Sequence, residues 1–225
     1  MLYNDDQKLE QSPVVANCCM NRERDLSGTN GYDVEIGFHP LNFLCDKVAS
    51  NGKAQWLDLC CGTGKALIQA ATIIERDGIP IDIVGVDLVG MFATNRSRPL
   101  SLIEASLSTW SPEKSFDLIT CIHGLHYIGD KLGLISRACS WLSKEGLFVA
   151  NLDTGNLRLN PGGSSNRIFA KELRQAGVEY LTTKRLIRCQ GHRGLALPFD
   201  YVGADDEAGP NYTKQPVVHS YYEHG

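Results

Sequence analysis

The sequence predicts an α/β fold: a mostly parallel sheet, doubly wound with helices on both faces, carrying an antiparallel hairpin toward its C-terminal edge. Three observations carry that expectation. Helical and strand-like periodicities alternate along most of the chain. A short apolar strand around Leu57-Asp58-Leu59 runs through Cys60-Cys61-Gly62-Thr63-Gly64 into a helix starting at Lys65, so that strand, tight glycine turn and helix N-terminus form a cradle for a ligand. A second apolar run, Ile81 to Val86, closes on the acid Asp87.

Taken in order, Pro40 suits the first turn of a helix bearing Leu41, Leu44, Cys45 and Val48 at i, i+3, i+4 and i+7, ending near Asn51-Gly52. After the glycine turn, Leu67, Ala70, Ala71 and Ile74 repeat that apolar face, and Gly78-Ile79-Pro80 stops the helix before the strand ending at Asp87. Between Leu88 and Arg98 there is room only for an abbreviated helix. Leu100 to Ile103 is the third strand, and Ser115 to Ile122 the fourth. Asp130 caps a helix carrying Leu132, Ile135, Cys139 and Leu142, and Gly146 opens a strand over Leu147 to Ala150. A helix spans about Arg167 to Ala176, with Ile168, Phe169 and Leu173 on one face. Tyr180 to Cys189 and Leu195 to Tyr201, joined by the turn from Gln190 to Gly194, form the antiparallel hairpin.

Composition sets outer bounds. A chain of 225 residues with 43% hydrophobic content can bury one substantial core. A net charge of −4 with no cluster of basic residues argues against a nucleic-acid partner, because phosphate neutralisation supplies most nonspecific affinity. Met1 to Gln11 is polar and acidic, and no run of 18 apolar residues occurs, so a cytoplasmic protein with no membrane partner is expected. Eight scattered cysteines without a CxxC fit a reducing compartment, and no cysteine or histidine cluster has metal-ligand spacing, so no metal is expected. Oligomeric state leaves no trace in the sequence.

Two cofactors compete for the glycine turn. A dinucleotide site has the pattern G-x-G-x-x-G, but here the third glycine is replaced by Leu67. Asp58, just ahead of the turn, would sit badly beside a pyrophosphate and suits a ligand that presents an ammonium group and a positive centre, as S-adenosylmethionine does. Asp87 can accept hydrogen bonds from both hydroxyls of a ribose. On these residues the chain resembles the class I S-adenosylmethionine-dependent methyltransferases over roughly residues 54 to 151. The family pattern often has glycine where Cys60 stands; Cys60 and Cys61 read as small packing residues, not as catalytic ones.

The resemblance implies a Rossmann-like seven-stranded sheet of order 3-2-1-4-5-7-6 and a set of cofactor contacts. These are Tyr32, Asp58, Cys60, Gly62, Gly64, Asp87, Leu88 and Cys121, with Glu104 and Ala105 near the adenine. It also places the chemistry after the fourth strand, at Cys121-Ile122-His123-Gly124-Leu125-His126-Tyr127. Methyl transfer is an in-line displacement, so the enzyme aligns a nucleophile and, where needed, removes its proton. His123 and His126 are the candidate bases. Arg22, Arg24 and Tyr127 are candidate substrate contacts. No Asn/Asp-Pro-Pro-aromatic sequence stands here, which argues against the amino methyltransferases that carry it, and the His-Gly-Leu-His-Tyr wording is similar to that of enzymes acting on metabolites.

The expected organisation is a lid or substrate cap over residues 1–39, with Asn17 to Tyr32 as its covering part, a class I methyltransferase domain over 40–202, and a tail or flap over 203–225. The expected function is methyl transfer to oxygen, nitrogen or sulfur of a small molecule. The alternatives are a nicotinamide-dependent oxidoreductase and an S-adenosylmethionine-binding regulatory protein without transferase activity.

Overall fold

In the computed structural model, which describes residues 2–16, 23–160, 163–164 and 166–225, three short helices precede the core: α1 (Asp6–Glu10), α2 (Pro13–Ala16) and α3 (Tyr32–Ile36). Asp5 caps α1 by accepting from the Gln7 amide. Helix α4 (Pro40–Asn51) starts on its proline and stops at left-handed Gly52. Next come β1 (Ala54–Leu59), α5 (Lys65–Asp77), β2 (Ile81–Asp87), β3 (Leu100–Glu104) and β4 (Phe116–Cys121), with no helix between β2 and β3. Asp130 caps α6 (Lys131–Ser140) by accepting from the Gly133 amide. The rest of the chain forms β5 (Leu142–Asn151), β6 (Leu157–Leu159), β7 (Gly163–Ser164), α7 (Asn166–Gln175), β8 (Glu179–Leu181), β9 (Leu186–Gln190), β10 (Phe199–Asp205) and β11 (His219–His224).

The main sheet has seven strands in the order β3-β2-β1-β4-β5-β9-β8. Only β9 runs against its neighbours, pairing antiparallel with both β5 and β8. Alternation along the central strands explains why both faces are covered. Trp56, Leu118 and Val149 point to the face covered by α4 and α5, through Leu41, Leu44, Leu67, Ala70 and Ile74. Leu57, Leu59, Ile119, Cys121, Phe148 and Ala150 point to the other face, where Ile135 and Cys139 of α6 and Phe169 and Leu173 of α7 pack. The fold is therefore the doubly wound α/β sheet the sequence predicts.

Three expectations need correction. Leu142 is not the last residue of a helix. The chain leaves α6 at Trp141, and Leu142 opens β5 opposite Phe116. Tyr180 to Cys189 is not one strand, because a 3-10 turn over Thr182–Lys184 and a left-handed Arg185 fold it into β8 and β9. Those two, not Tyr180–Cys189 with Leu195–Tyr201, make the antiparallel hairpin.

From Leu195 the chain instead crosses α6, where the Ser136 hydroxyl donates to the Leu195 carbonyl, and passes Pro198 into a second sheet that the sequence did not announce. Its four strands lie in the order β10-β11-β6-β7. The boundary expected at 202/203 falls inside β10, and residues beyond it are built in, with Val217, Val218, Ser220 and Tyr222 buried. Lys131, 1% exposed, donates to the carbonyls of Ile128 and Val218 and to the Ser220 hydroxyl, which ties β11 to the segment following β4.

Candidate active site

At the end of β1 the backbone passes through three left-handed residues, Cys60 (φ 58°), Gly62 (φ 60°) and Gly64 (φ 74°), before α5 begins. Left-handed backbone costs a residue with a side chain roughly 1–2 kcal/mol, so Cys60 holds a conformation in which glycine would be unstrained. Its side chain is locked by packing. A Cβ on Gly124 would clash with the Cys60 Cβ and lie 2.9 Å from the Cys121 Sγ, so position 124 admits only glycine while those cysteines stand there. Contact with Cys121 and burial push the Cys60 thiol well above its ordinary value, and burial does the same for Cys61. Both stay protonated near neutral pH and act as packing groups.

Asp87 closes β2 beside this turn. Its two oxygens accept from the Gly62 amide at 2.8 Å and the Val89 amide at 3.1 Å, so the carboxylate is fixed before any ligand arrives. It faces a cavity bounded by Cys60, Gly62 and Leu88, by Leu107 and Ser108 after β3, and by Ile122, His123, Gly124 and Tyr127 after β4. Asp130 and Arg137 also line it. A further wall comes from Asp6, Leu9 and Glu10 of α1 and Val15 of α2. That wall is held by the Ser106 hydroxyl on Glu10 (2.5 Å) and the Tyr201 hydroxyl on Asp6 (2.8 Å). Among the described residues of the N-terminal region, Asp6, Leu9, Glu10 and Val15 are the ones that line the cavity. Of the segment expected to cover it, residues 17–22, including Arg22, lie outside the described residues.

His123 belongs to the cavity and also to a polar cluster beside it. The ring's Nε2 lies 3.1 Å from Glu35 Oε1, as an ion-pair contact not aligned as a hydrogen bond, and Arg24 donates to the same oxygen at 2.8 Å. Contact with His123 is the main reason the Glu35 carboxyl sits below its ordinary value. The His123 amide donates to Asn151 Oδ1 at 3.1 Å, which fixes the backbone at a left-handed φ of 58°. On the far side of the ring, Nδ1 lies 3.4 Å from His126 Nε2 and 3.4 Å from the Tyr212 hydroxyl, which is itself 3.3 Å from His126 Nε2. A carboxylate at Nε2 favours the tautomer protonated there and leaves Nδ1 as the proton acceptor. Burial pushes His126 well below its ordinary value, so its ring is neutral.

Among the expected residues, Cys60, Gly62, Asp87, Leu88, His123 and Tyr127 line the cavity. Asp58 lies one layer beneath it, 0% exposed, accepting from the hydroxyls of Tyr32 (2.7 Å) and Thr120 (2.5 Å). Burial pushes its carboxyl up to about 7 against the pull of those two donors. Tyr32 therefore covers Asp58 and does not line the cavity. Gly64 turns the backbone into α5, and Cys121 packs behind Cys60. Glu104 is exposed at the end of β3, and the Ala105 amide donates to the Asp87 carbonyl. Arg24 faces Glu35, and His126 stands behind His123. Sequence reasoning missed α1, Glu35, Asn151 and Tyr212; the Asp5 cap was the only local signal for α1.

A seven-stranded sheet of this order, with a glycine turn after its first strand and an acid closing its second, is the architecture of the class I methyltransferases. A family model described as a methyltransferase domain matches residues 38–197, more than two thirds of the chain. The chain belongs to this methyltransferase family. S-adenosylmethionine is the cofactor of the class I methyltransferases, and membership of a methyltransferase family weighs against the oxidoreductase alternative. No curated protein matches the chain. Among solved structures, it is similar to the plantazolicin methyltransferase BpumL in complex with a triazolic desmethylPZN analog and SAH, at 19% identity and TM-score 0.39, over 48% of this chain and 43% of that one. It is also similar to SAM-bound CalS10, an amino pentose methyltransferase from Micromonospora echinaspora, at 23% identity and TM-score 0.39, over 49% and 48%. A third is coclaurine N-methyltransferase bound to N-methylheliamine and SAH, at 17% identity and TM-score 0.39, over 64% and 42%. The chain spans less than half the length of each of these proteins.

Proposed function

We propose that this chain methylates a small molecule at an oxygen, nitrogen or sulfur that must lose a proton, with His123 as the base and Glu35 as the residue that positions it. The observation that carries the reading is that His123 is shared by the two parts of the site: it lines the cavity beside Asp87 and the glycine turn, and it is the member of the polar cluster paired with a carboxylate. S-adenosylmethionine, when bound, supplies a methyl carbon made electrophilic by its sulfonium.

The protein's own residues do the rest. Asp87, preset by two amides, receives ribose hydroxyls, and Leu88 and Leu107 offer apolar surface for a base. The left-handed turn at Gly62 brings backbone close to the cofactor. His123 Nδ1 takes the acceptor's proton while Glu35 stabilises the imidazolium that results. Helices α1 and α2 shield the reaction from water. The cytoplasm is the proposed location, because Cys45, Cys60, Cys61, Cys121, Cys139 and Cys189 are all free thiols, as a reducing compartment would keep them.

Calorimetric titration with S-adenosylhomocysteine and NADH tests the cofactor, and transfer of labelled methyl from S-adenosylmethionine into pools of small metabolites tests the acceptor. Binding of the first ligand and not the second is expected, with label in a low-molecular-weight product. NADH binding alone would overturn the reading.

A further inference from the structure

Three polar atoms, His123 Nδ1, His126 Nε2 and the Tyr212 hydroxyl, form a near-equilateral triangle with sides of 3.4, 3.3 and 3.4 Å. Two of them are buried imidazole nitrogens supplied by the segment after β4. The third comes from the connection between β10 and β11, beyond residues 38–197 that match the family. The Tyr212 side chain is otherwise poorly buried, with the residue 37% exposed, and the Arg185 guanidinium carbon lies over its ring, 4.1 Å from the centroid. The turn that carries it closes on itself: the Asn211 amide donates to Gln215, the Lys214 amide donates to Asn211, and Pro210 bridges Pro216. A phenol is thus delivered to the proton-accepting nitrogen of the base by a separate, self-contained turn.

We infer that the methyl acceptor is an aryl hydroxyl, a phenol or an enol of similar acidity, and that Tyr212 occupies its position until the acceptor displaces it. The inference rests on His123 being the base, as proposed above. Of the three acceptor atoms left open there, it selects oxygen. Arg185 then receives the acceptor's ring by the stacking it now gives Tyr212, and the two histidines hold the hydroxyl. In the transfer, a lone pair of the phenol oxygen forms the bond to the methyl carbon. The carbon–sulfur bond breaks with its pair left on sulfur, and the hydroxyl proton passes to His123 Nδ1 and on to water.

The test is calorimetric binding of 4-nitrophenol in saturating S-adenosylhomocysteine, with wild type, Tyr212→Ala and Tyr212→Phe. Removing an internal competitor raises apparent affinity by the inverse of the fraction of time the site is open. Tyr212→Ala is therefore expected to bind 4-nitrophenol about fivefold or more tighter than wild type, to gain nothing for 4-nitroanisole, which lacks the hydroxyl, and to turn 4-nitrophenol into 4-nitroanisole when given S-adenosylmethionine. Tyr212→Phe, which keeps the ring in place, is expected to gain less than Tyr212→Ala.

Unchanged or weaker 4-nitrophenol binding by Tyr212→Ala, or an equal gain for 4-nitroanisole, overturns the inference while leaving the methyltransferase reading intact. Tighter binding without transfer overturns His123 as the base for this acceptor, and the inference with it. Wild type that does not bind S-adenosylhomocysteine overturns both. S-adenosylhomocysteine affinity equal to that of wild type shows that each variant has folded.

Discussion

Glu35 Oε1 stands 3.1 Å from His123 Nε2, so a residue of the short helix α3 meets the segment after β4 and favours the tautomer protonated at that nitrogen. Glu35→Gln keeps the shape and removes the charge. With the acceptor found by the labelled-methyl screen, kcat is expected to fall about tenfold or more while S-adenosylhomocysteine affinity stays within twofold, because the carboxylate acts on the base and not on the cofactor. Glu35→Asp should recover part of the loss. An equal loss of cofactor affinity would show that Glu35 supports the cavity itself.

The two histidines are expected to separate. His123→Ala should lower kcat by about 100-fold or more, the usual worth of a positioned base. His126→Ala, at a ring that is neutral and set behind the first, should cost less than His123→Ala. Single-turnover measurements with both variants decide the order, and a larger effect at His126 would reverse the assignment.

Asp87→Ala removes an acceptor that also anchors the Gly62 and Val89 amides. S-adenosylhomocysteine affinity is expected to weaken by about tenfold or more, the loss of one or two hydrogen bonds to a charged group. Calorimetry at neutral pH measures it, and unchanged affinity would remove Asp87 from the ribose site.

Asp58 predicts a pH dependence of stability. Its carboxyl, raised to about 7 in the folded protein from an unfolded value of 3.8, holds a proton that the unfolded chain has already lost between those values. Its stabilising contribution is complete below the unfolded value and is lost as pH rises through the folded one. Asp58→Asn should make unfolding free energy less sensitive to pH by about 3 kcal/mol between pH 5 and 8. Urea unfolding at the two pH values checks this. An unaltered difference would show that the carboxylate is already ionised in the fold.

Lys131 gives three protons to three oxygens in a fully buried cage. Burial pushes its amine down to about 7, yet three acceptors need the three protons of the ammonium form. Lys131→Met should destabilise the protein by about 3 kcal/mol or more, since it strands those oxygens. Hydrogen exchange across β11 should rise with it, and a neutral effect would show that water fills the cage.

The glycine turn, the caps of α4 and Asp87 were legible because each is a local device: proline at a first turn, glycine at a left-handed position, an acid at a strand end. Leu195, Leu197 and Phe199 also kept their alternation, half-buried with exposed neighbours between them. Alternation says which side of a strand is buried but not which strand lies beside it, so the same residues were assigned to the wrong sheet. Glu35 and Tyr212 escaped notice for a related reason. Each reaches His123 from a distant part of the chain, 89 positions away for Tyr212, and neither lies in a pattern that announces a partner.

The wall formed by α1 has a consequence for folding order. It is held to β10 by the Tyr3–Ala204 bridge and by the Tyr201–Asp6 hydrogen bond across 195 positions. Closing a loop of that length is among the least local events available to the chain, and it gains nothing until β10 and β11 have paired. Contact order therefore predicts that the cavity is closed last, after the seven-stranded sheet has formed. A ligand that touches this wall binds only the finished state, so S-adenosylhomocysteine should slow the opening of α1 and β10 more than that of the central strands.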